Sequence, residues 1–338
     1  MLYLGHTLLI ANPTARSGKA EKIALTAHKK LIERVAQGQD FDPSLVLTRE
    51  RGDGETIAAT QGAEFDTIIV IGGDGIVHEV INGIMRISRE QRPRLGVIPC
   101  GNGDDFARSL NLSRDPLHAL DQLLQGNVLS IDIGKVNDHY FAETLSFGFD
   151  AAIALQTTEL RQKTKRTGTI LYLQCALDQL RHNMILRKVQ ISLDNKPAFT
   201  KEVYMIAVQN GQHYGGGFQI TPHASLTDGL FDICYATGPY LKPVAAYIFM
   251  QAKKGNHLGM KGIYTAQART ITLDFNDPIA CQIDGEPLYA LHYEAEVIPS
   301  AIEVIIPAEG AFEHVHKTDN ANQAHQSTEL ALQPKEDA

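Results

Sequence analysis

A doubly wound α/β domain followed by a β-rich, antiparallel second domain is the fold class this sequence predicts. Three observations point there. Short aliphatic runs alternate with helical spacing over the first third of the chain, longer strand-like runs joined by turn dipeptides take over from about Leu129, and 338 residues exceed the usual size of one domain, roughly 100 to 200 residues.

The first domain is expected over residues 1–130. Leu8-Leu9-Ile10-Ala11, Ser44-Leu45-Val46-Leu47, Thr67-Ile68-Ile69-Val70-Ile71 and Leu95-Gly96-Val97-Ile98 are aliphatic runs ended by Gly, Pro, Asn or Thr, as buried strands are. Between them, Lys19 to Val35 and Thr56 to Gln61 carry helical spacing, Ile76 to Met85 opens directly after a glycine loop, and Asp115 is placed to cap Leu117 to Leu124. Such alternation implies right-handed βαβ units and a parallel sheet, which binds ligands at the carboxyl ends of its strands.

The second domain is expected over residues 131–300. Asn137-Asp138 separates Ile131–Val136 from Tyr140–Ser146, and Asp194-Asn195-Lys196-Pro197 separates Val189–Leu193 from Phe199–Val208, which is hairpin chemistry. Helices are expected at Ala151–Gln162, Thr169–Arg181 and Tyr240–Lys253, and strands resume at Ala268–Phe275, Ile279–Ile283 and Ala301–Ile306. Residues 301–312 are expected to return to the first domain. Residues 313–338, polar and poor in large apolar side chains, read as a disordered tail, and His314 and His316 within it receive no metal role.

With 43% hydrophobic and 21% charged residues and no run of 18 apolar residues, the composition is that of a water-soluble protein without a transmembrane segment. Met1 to Ala11 lacks a basic start and is cut short by Asn12-Pro13, so it reads as a first strand and not as a signal peptide. Cys100, Cys175, Cys234 and Cys281 form no C-x-x-C pair, which argues against a zinc knuckle or a disulfide framework and for a reducing cytoplasm. A formal charge of −8 gives no general attraction for nucleic acid.

The chemistry centres on Ile68-Ile69-Val70-Ile71-Gly72-Gly73-Asp74-Gly75-Ile76-Val77-His78-Glu79-Val80. A buried strand passes through three glycines into a helix start, so backbone N–H groups and the positive helix end converge where a phosphate would sit. Glycine there permits close approach to the ligand and positive φ, whereas a plain strand-to-helix turn would need only one. The run is neither a Walker A loop, since Ser17-Gly18-Lys19-Ala20 lacks the upstream Gly and the following Ser or Thr, nor a G-x-G-x-x-G fingerprint. Asn12 to Lys19 and Pro99 to Arg108 are polar, small-residue loops expected on the same rim.

Taken in order, Asn-Pro…Ser-Gly-Lys, Gly-Gly-Asp-Gly at 72–75, Ile-Pro-x-Gly-x-Gly-x-Asp-Phe-Ala-Arg at 98–108, Asp-Ile-Gly at 132–134, Tyr-Gly-Gly-Gly-Phe at 214–218, Asp-Gly-Leu-Phe-Asp at 228–232 and Asp-Gly-Glu at 284–286 resemble the diacylglycerol kinase catalytic family. The resemblance is to its soluble bacterial lipid kinases and covers about residues 5–310. It implies the NAD kinase/diacylglycerol kinase-like fold, with ATP and Mg²⁺ used to phosphorylate a hydroxyl of diacylglycerol or a similar lipid in the cleft between the domains. It points to Glu286 as general base, Asp284 as its support and Asp74 beside the phosphates or their Mg²⁺. It and the flanking loops make Asn12, Ser17, Gly18, Thr48, Gly72, Gly73, Asp74, Gly75, Glu79, Gly101 and Asn102 the candidate nucleotide contacts. A second, structural ion is implied at Asp228 with the carbonyls of Ser225 and Leu230. Read from the residues alone, Asp284-Gly285-Glu286 is a solvated hairpin tip and Asp228-Gly229 a simple turn.

Four positions depart from the family pattern: Ile76 and Asn102 stand for Thr, Asp104 for Asn and Thr227 for Asp. Asp104 adds negative charge that Arg16, Lys19 or Arg108 would have to offset. These departures keep open a nucleotide-binding regulator without turnover, and the shared Gly-Gly-Asp-Gly loop keeps open a kinase of a soluble acceptor such as NAD. Arg161, Lys163, Lys165 and Arg166 form a basic cluster that suits either anionic headgroups or a solvated helix end. A lipid would be reached by peripheral, transient membrane contact, and a homodimer is allowed.

Overall fold

The computed structural model describes residues 2–164 and 169–308. In chain order the elements are β1 (Gly5–Ala11), α1 (Ala15–Ala36), β2 (Phe41–Leu47), α2 (Asp53–Gln61), β3 (Thr67–Gly72), α3 (Asp74–Met85), β4 (Arg94–Pro99), α4 (Asp105–Ser109) and α5 (Pro116–Leu124). The β-rich part follows with β5 (Asn127–Val136), β6 (His139–Phe141), β7 (Thr144–Gly148), α6 (Phe149–Thr164), α7 (Thr169–His182), β8 (Arg187–Leu193) and β9 (Phe199–Gln209). It ends with β10 (Phe231–Thr237), α8 (Lys242–Ala252), β11 (Ile263–Ala268), β12 (Thr270–Phe275), β13 (Cys281–Ile283), β14 (Glu286–Pro287) and β15 (His292–Ile306).

Strands β2, β1, β3 and β4 lie side by side and all parallel. All six residues of β3 are buried, as a central parallel strand covered on both faces requires. Helix α1 turns Ala20, Ala24, Ala27 and Leu31 inward at spacings of four, three and four, and small residues there let the helix approach the sheet closely. Asp115 caps α5 by accepting from Leu117 N at 3.1 Å and His118 N at 2.9 Å, with Pro116 as first helical residue. Helix α4, only five residues long, has too few turns to leave a periodic signature in the sequence.

Strand β15 joins the two halves. It pairs antiparallel with β12 and β5, and near its end Val304 lies parallel beside Leu95 of β4. Its register against β5 shifts between Ile298 and Ile302, where Ser300 takes a left-handed φ of 48°. Asp132 fixes that bend, its Oδ1 accepting from Ser300 N at 2.7 Å while Oδ2 accepts from Gly229 N at 2.7 Å. One core lies between α1, α3, α5 and the parallel sheet and includes Ile302 and Val304–Ile306; a second fills the β-rich part around Phe141, Phe147, Phe231, Phe275 and Tyr293.

The fold is therefore an α/β domain with a β-rich partner, as the residue pattern predicts. Residues 309–338, with the expected tail and its two histidines, lie outside the described residues, as do Lys165 and Arg166. Among the described residues no helix is long and apolar enough to cross a membrane, and all four cysteines are free and buried.

Candidate active site

The carboxyl ends of β1, β3 and β4 open into a cavity of about 1100 Å³ whose far wall is the β-rich part of the chain. Asn12, Ser17, Gly18, Gly73, Asp74, Gly75, Gly101, Asn102, Asp284 and Glu286 line it. Thr48, Gly72 and Glu79 do not. Thr48 is buried at the end of β2, where its N–H donates to Ala11 O at 2.9 Å. Glu79 turns the other way on α3 and accepts from Gly54 N at 3.0 Å, which caps α2 and ties it to α3. Gly72 is the last residue of β3, and Ile76 packs on it so closely that a Cβ there would lie 2.4 Å from Ile76 Cγ2.

Positive φ, the second reason expected for the glycines, does not apply, because none of Gly72, Gly73 and Gly75 has it. The reason is close approach. A Cβ on Gly73 would stand 2.9 Å from Gly101 Cα, and one on Gly101 would stand 2.5 Å from Gly73 Cα, so the loops after β3 and β4 touch backbone to backbone. At Gly75, in the first turn of α3, the nearest atom to an added Cβ is Glu286 Oε1 at 4.0 Å. The first turn of a helix has N–H groups without intrahelical partners, and here that turn and the Glu286 carboxylate line the same cavity. At the start of α1, Arg16, Ser17 and Gly18 take left-handed φ of 51°, 59° and 85°, a kink that sets this turn apart from the regular helix, and Asn12 Oδ1 braces the segment before it by accepting from Thr14 N at 3.0 Å.

Asp284 and Gly285, with φ of 48° and 92°, are the two central residues of the tight turn between β13 and β14, as an Asp-Gly hairpin requires. The tip is not solvated, however, because it is inserted into the cleft, with the Asp284 side chain only 7% exposed. Its carboxylate accepts from Ala142 N at 2.8 Å, Glu143 N at 3.1 Å and Thr144 N at 2.9 Å, and His78 Nδ1 lies 3.3 Å from it. With three backbone donors on it, Asp284 anchors the turn. Glu286, a quarter exposed, is paired with Arg51 and faces Gly75.

Acidic side chains converge on the glycine centre. Asp74 Oδ1 accepts from Asp105 N at 2.8 Å and Phe106 N at 3.3 Å, which binds the start of α3 to that of α4. Burial pushes the Asp74 carboxyl up. Burial, and then the charge of Asp74, raises Asp104 to about 6 and Asp105 to about 7. Arg114 and Arg16 offset part of this at Asp104 and Arg108 at Asp105, and all three arginines line the cavity with Arg161.

Several wall residues carry no local sequence signal. Asp105 Oδ2 accepts from Gly216 N at 2.8 Å, so the α/β domain is pinned to the hairpin Tyr214–Phe218, whose glycines have φ of 63°, 82° and 94°. That contact spans 111 positions. Glu143, Ser109 and His213 meet on the same wall. The motif Tyr-Gly-Gly-Gly-Phe is visible in the sequence, but nothing local shows which carboxylate it meets.

At the expected ion site, Asp228 Oδ1 accepts from Leu230 N at 3.0 Å inside the turn Ser225–Leu230. Burial, and behind it Asp132, raises the Asp228 carboxyl. Among the described residues no group of three or more His, Cys, Asp and Glu side chains is arranged to hold a metal ion.

Comparison with known proteins adds a lineage to this geometry. Residues 6–136 match the diacylglycerol kinase catalytic domain and residues 143–306 match the YegS C-terminal NAD kinase beta sandwich-like domain. A probable lipid kinase, YegS-like, from Yersinia pestis (strain Pestoides F) is 29% identical over 309 residues, covering 89% of this chain and 97% of that protein. A provisionally assigned diacylglycerol kinase from Bacillus anthracis str. Sterne superposes with a TM-score of 0.74 at 25% identity, over 90% of this chain and 99% of that one. Another diacylglycerol kinase structure from the same organism shares the fold, with a TM-score of 0.69 at 22% identity over 90% of this chain and 98% of that one.

Proposed function

The chain belongs to the diacylglycerol kinase catalytic family, in its lipid-kinase branch, and from that premise we propose that it transfers the γ-phosphoryl group of ATP to a hydroxyl of diacylglycerol or a similar lipid. The observation that carries this reading is the opposition of Glu286 to Gly75 across the cavity, a carboxylate from one domain facing the N-terminal turn of a helix from the other. A phosphate seated on that turn receives backbone N–H donors and the positive helix end. A hydroxyl between the two would have a proton acceptor on one side and phosphorus on the other.

Phosphoryl transfer asks the protein mainly to position its reactants and neutralise charge. The left-handed kink at Arg16–Gly18 and the touching loops at Gly73 and Gly101 bracket the nucleotide, and Arg16, Arg108, Arg114 and Arg161 meet the negative charge of the phosphates. Glu286 takes the hydroxyl proton as the oxygen attacks the γ-phosphorus in line and ADP leaves. Asp284 is less suited to that task, since backbone N–H groups already occupy both its oxygens, and it holds the turn that aims Glu286.

A bound Mg²⁺ would supply positive charge to offset that of the phosphates. Asp74 and Asp105 would hold it, being hard oxygen donors in a site where buried carboxyls gather and Asp105 Oδ1 has no hydrogen-bond partner. A structural ion at Asp228, with the carbonyls of Ser225 and Leu230, suits the same cation, because it would offset the repulsion between that carboxylate and Asp132. In this reading the lipid is met at a membrane surface, in peripheral contact.

The test is thin-layer analysis of labelled phosphate after incubation with ATP, Mg²⁺, a panel of neutral lipids in mixed micelles, and NAD. Label in a lipid and none in NAD is expected; label in NAD alone would overturn the reading.

A further inference from the structure

Glu143 is a buried carboxyl that phosphoryl transfer does not employ, and its surroundings are built for it. It is 5% exposed, lies in the segment that enters β7, and lines the cavity. Its backbone N–H donates to Asp284 Oδ1 at 3.1 Å, one side of the anchor that aims Glu286, and its carbonyl accepts from Asn210 N at 2.9 Å and Gly211 N at 3.2 Å. Gly211 leaves room for the carboxyl, since a Cβ there would fall 1.9 Å from Glu143 Oε2 and displace it.

The carboxyl ends a directed chain of hydrogen bonds. Gln219 Nε2, 3.2 Å from His213 Nε2, presents an N–H to it, which leaves His213 Nδ1 to donate to Ser109 Oγ at 3.3 Å. Ser109 Oγ in turn donates to Glu143 Oε2 at 3.1 Å. Among the described residues Oε1 has no hydrogen-bond partner. An unpaired carboxyl oxygen at such depth is costly unless something else meets it.

We propose that Glu143 is a specificity-determining residue of the acceptor site, whose Oε1 hydrogen-bonds an uncharged oxygen that the acceptor carries beside the hydroxyl to be phosphorylated. The inference rests on the lipid-kinase reading and narrows its substrate to polyol esters or ethers, as distinct from plain long-chain alcohols. Two further features agree with an uncharged partner. Burial holds the Glu143 carboxyl well above its usual range, with the charges of Asp284, Asp105 and Asp74 adding to the effect, and burial with Arg108 lowers His213 to about 4. Burial thus disfavours the charged form of both groups. With Oε2 accepting from Ser109, Oε1 is the oxygen left to bond the ligand.

The experiment compares kcat/KM for a diacylglycerol and for a long-chain primary alcohol of equal chain length in the same micelles. Wild type should prefer the diacylglycerol. Glu143→Met should lower kcat/KM for the diacylglycerol by about tenfold or more, the loss of one buried hydrogen bond, chiefly through KM. It should leave the alcohol and the ATP affinity unchanged. Glu143→Gln, whose amide can accept from Ser109 and donate to the ligand, should keep the preference, and Ser109→Ala should erode it severalfold without changing volume. Preferences in Glu143→Met and Ser109→Ala equal to wild type would overturn the proposal; should Glu143→Met not fold, an unchanged Ser109→Ala preference overturns it alone. A wild type that phosphorylates neither acceptor would overturn the lipid-kinase reading together with this one, and so is distinguishable from failure of Glu143 alone.

Discussion

Gly73 and Gly75 stand two residues apart, one just before α3 and one in its first turn, yet a methyl group added to each should act in opposite ways. At Gly73 the new Cβ would lie 2.9 Å from Gly101 Cα, where an ordinary carbon contact is about 3.5–4.0 Å, so the loops after β3 and β4 must separate by at least ~0.6 Å. Overpacking of this kind costs about 1–3 kcal/mol, and Gly73→Ala should melt lower as well as bind ATP more weakly. At Gly75 the nearest atom beyond its own turn is Glu286 Oε1 at 4.0 Å, and Gly→Ala within a helix is worth roughly 0.5–1 kcal/mol in stability. Gly75→Ala should therefore melt no lower than wild type. Its methyl group nevertheless enters the space assigned to phosphate. Loss of one hydrogen bond to a charged oxygen, about 1.5–3 kcal/mol, corresponds to roughly a tenfold to hundredfold rise in Kd for ATP. Calorimetric titration with ATP beside differential scanning calorimetry reads both quantities. A stabilised Gly75→Ala protein that binds ATP as wild type does would refute the placement of phosphate on the α3 turn.

Three further outcomes are expected. Asp284→Asn, which leaves at most one good acceptor for the N–H groups of residues 142–144, should lower stability by about 1–3 kcal/mol and reduce transfer through misplacement of Glu286, measurable by chemical denaturation and a rate assay. Burial, and then the charge of Asp74, raises the Asp105 carboxyl from its ordinary 3.8 to about 7, so the folded state holds its proton longer than the unfolded chain; its contribution to stability is full below about 4 and is lost as pH rises through about 7. The Tm of Asp105→Asn relative to wild type should therefore climb between pH 5 and pH 7, and a difference independent of pH would contradict the burial of that carboxyl. Asp228→Ala should abolish any rise in Tm on adding Mg²⁺, whereas a wild-type melting curve indifferent to both Mg²⁺ and EDTA would remove the proposed structural ion.

The fold was legible because its signals are local. Four aliphatic strands punctuated by Gly, Pro, Asn or Thr, the N-cap Asp115 and the Asn137-Asp138 turn each declare themselves within a few residues, and β1, β3, β4 and α5 follow them. The glycine centre was legible for the same reason, although its glycines serve backbone contact and not positive φ. What local patterns miss are pairings between distant positions. Asp105 with Gly216, Glu143 with Ser109 and Ser109 with His213 are 111, 34 and 104 positions apart, and each depends on how the two domains meet. Glu79 shows the converse limit, for its place next to the glycine loop suggests the cavity while the turn of α3 sends its carboxylate to Gly54.

Transfer as proposed requires one carboxylate, Glu286, to act across the cleft on a lipid hydroxyl. The most direct measurement is transfer of labelled phosphate from ATP to diacylglycerol in mixed micelles by wild type and by Glu286→Gln, with ATP affinity determined for both. Loss of a general base typically costs on the order of a hundred- to ten-thousandfold in rate, so Glu286→Gln should be nearly inactive while binding ATP with near-normal affinity. Turnover of the lipid by Glu286→Gln at the wild-type rate would contradict that requirement.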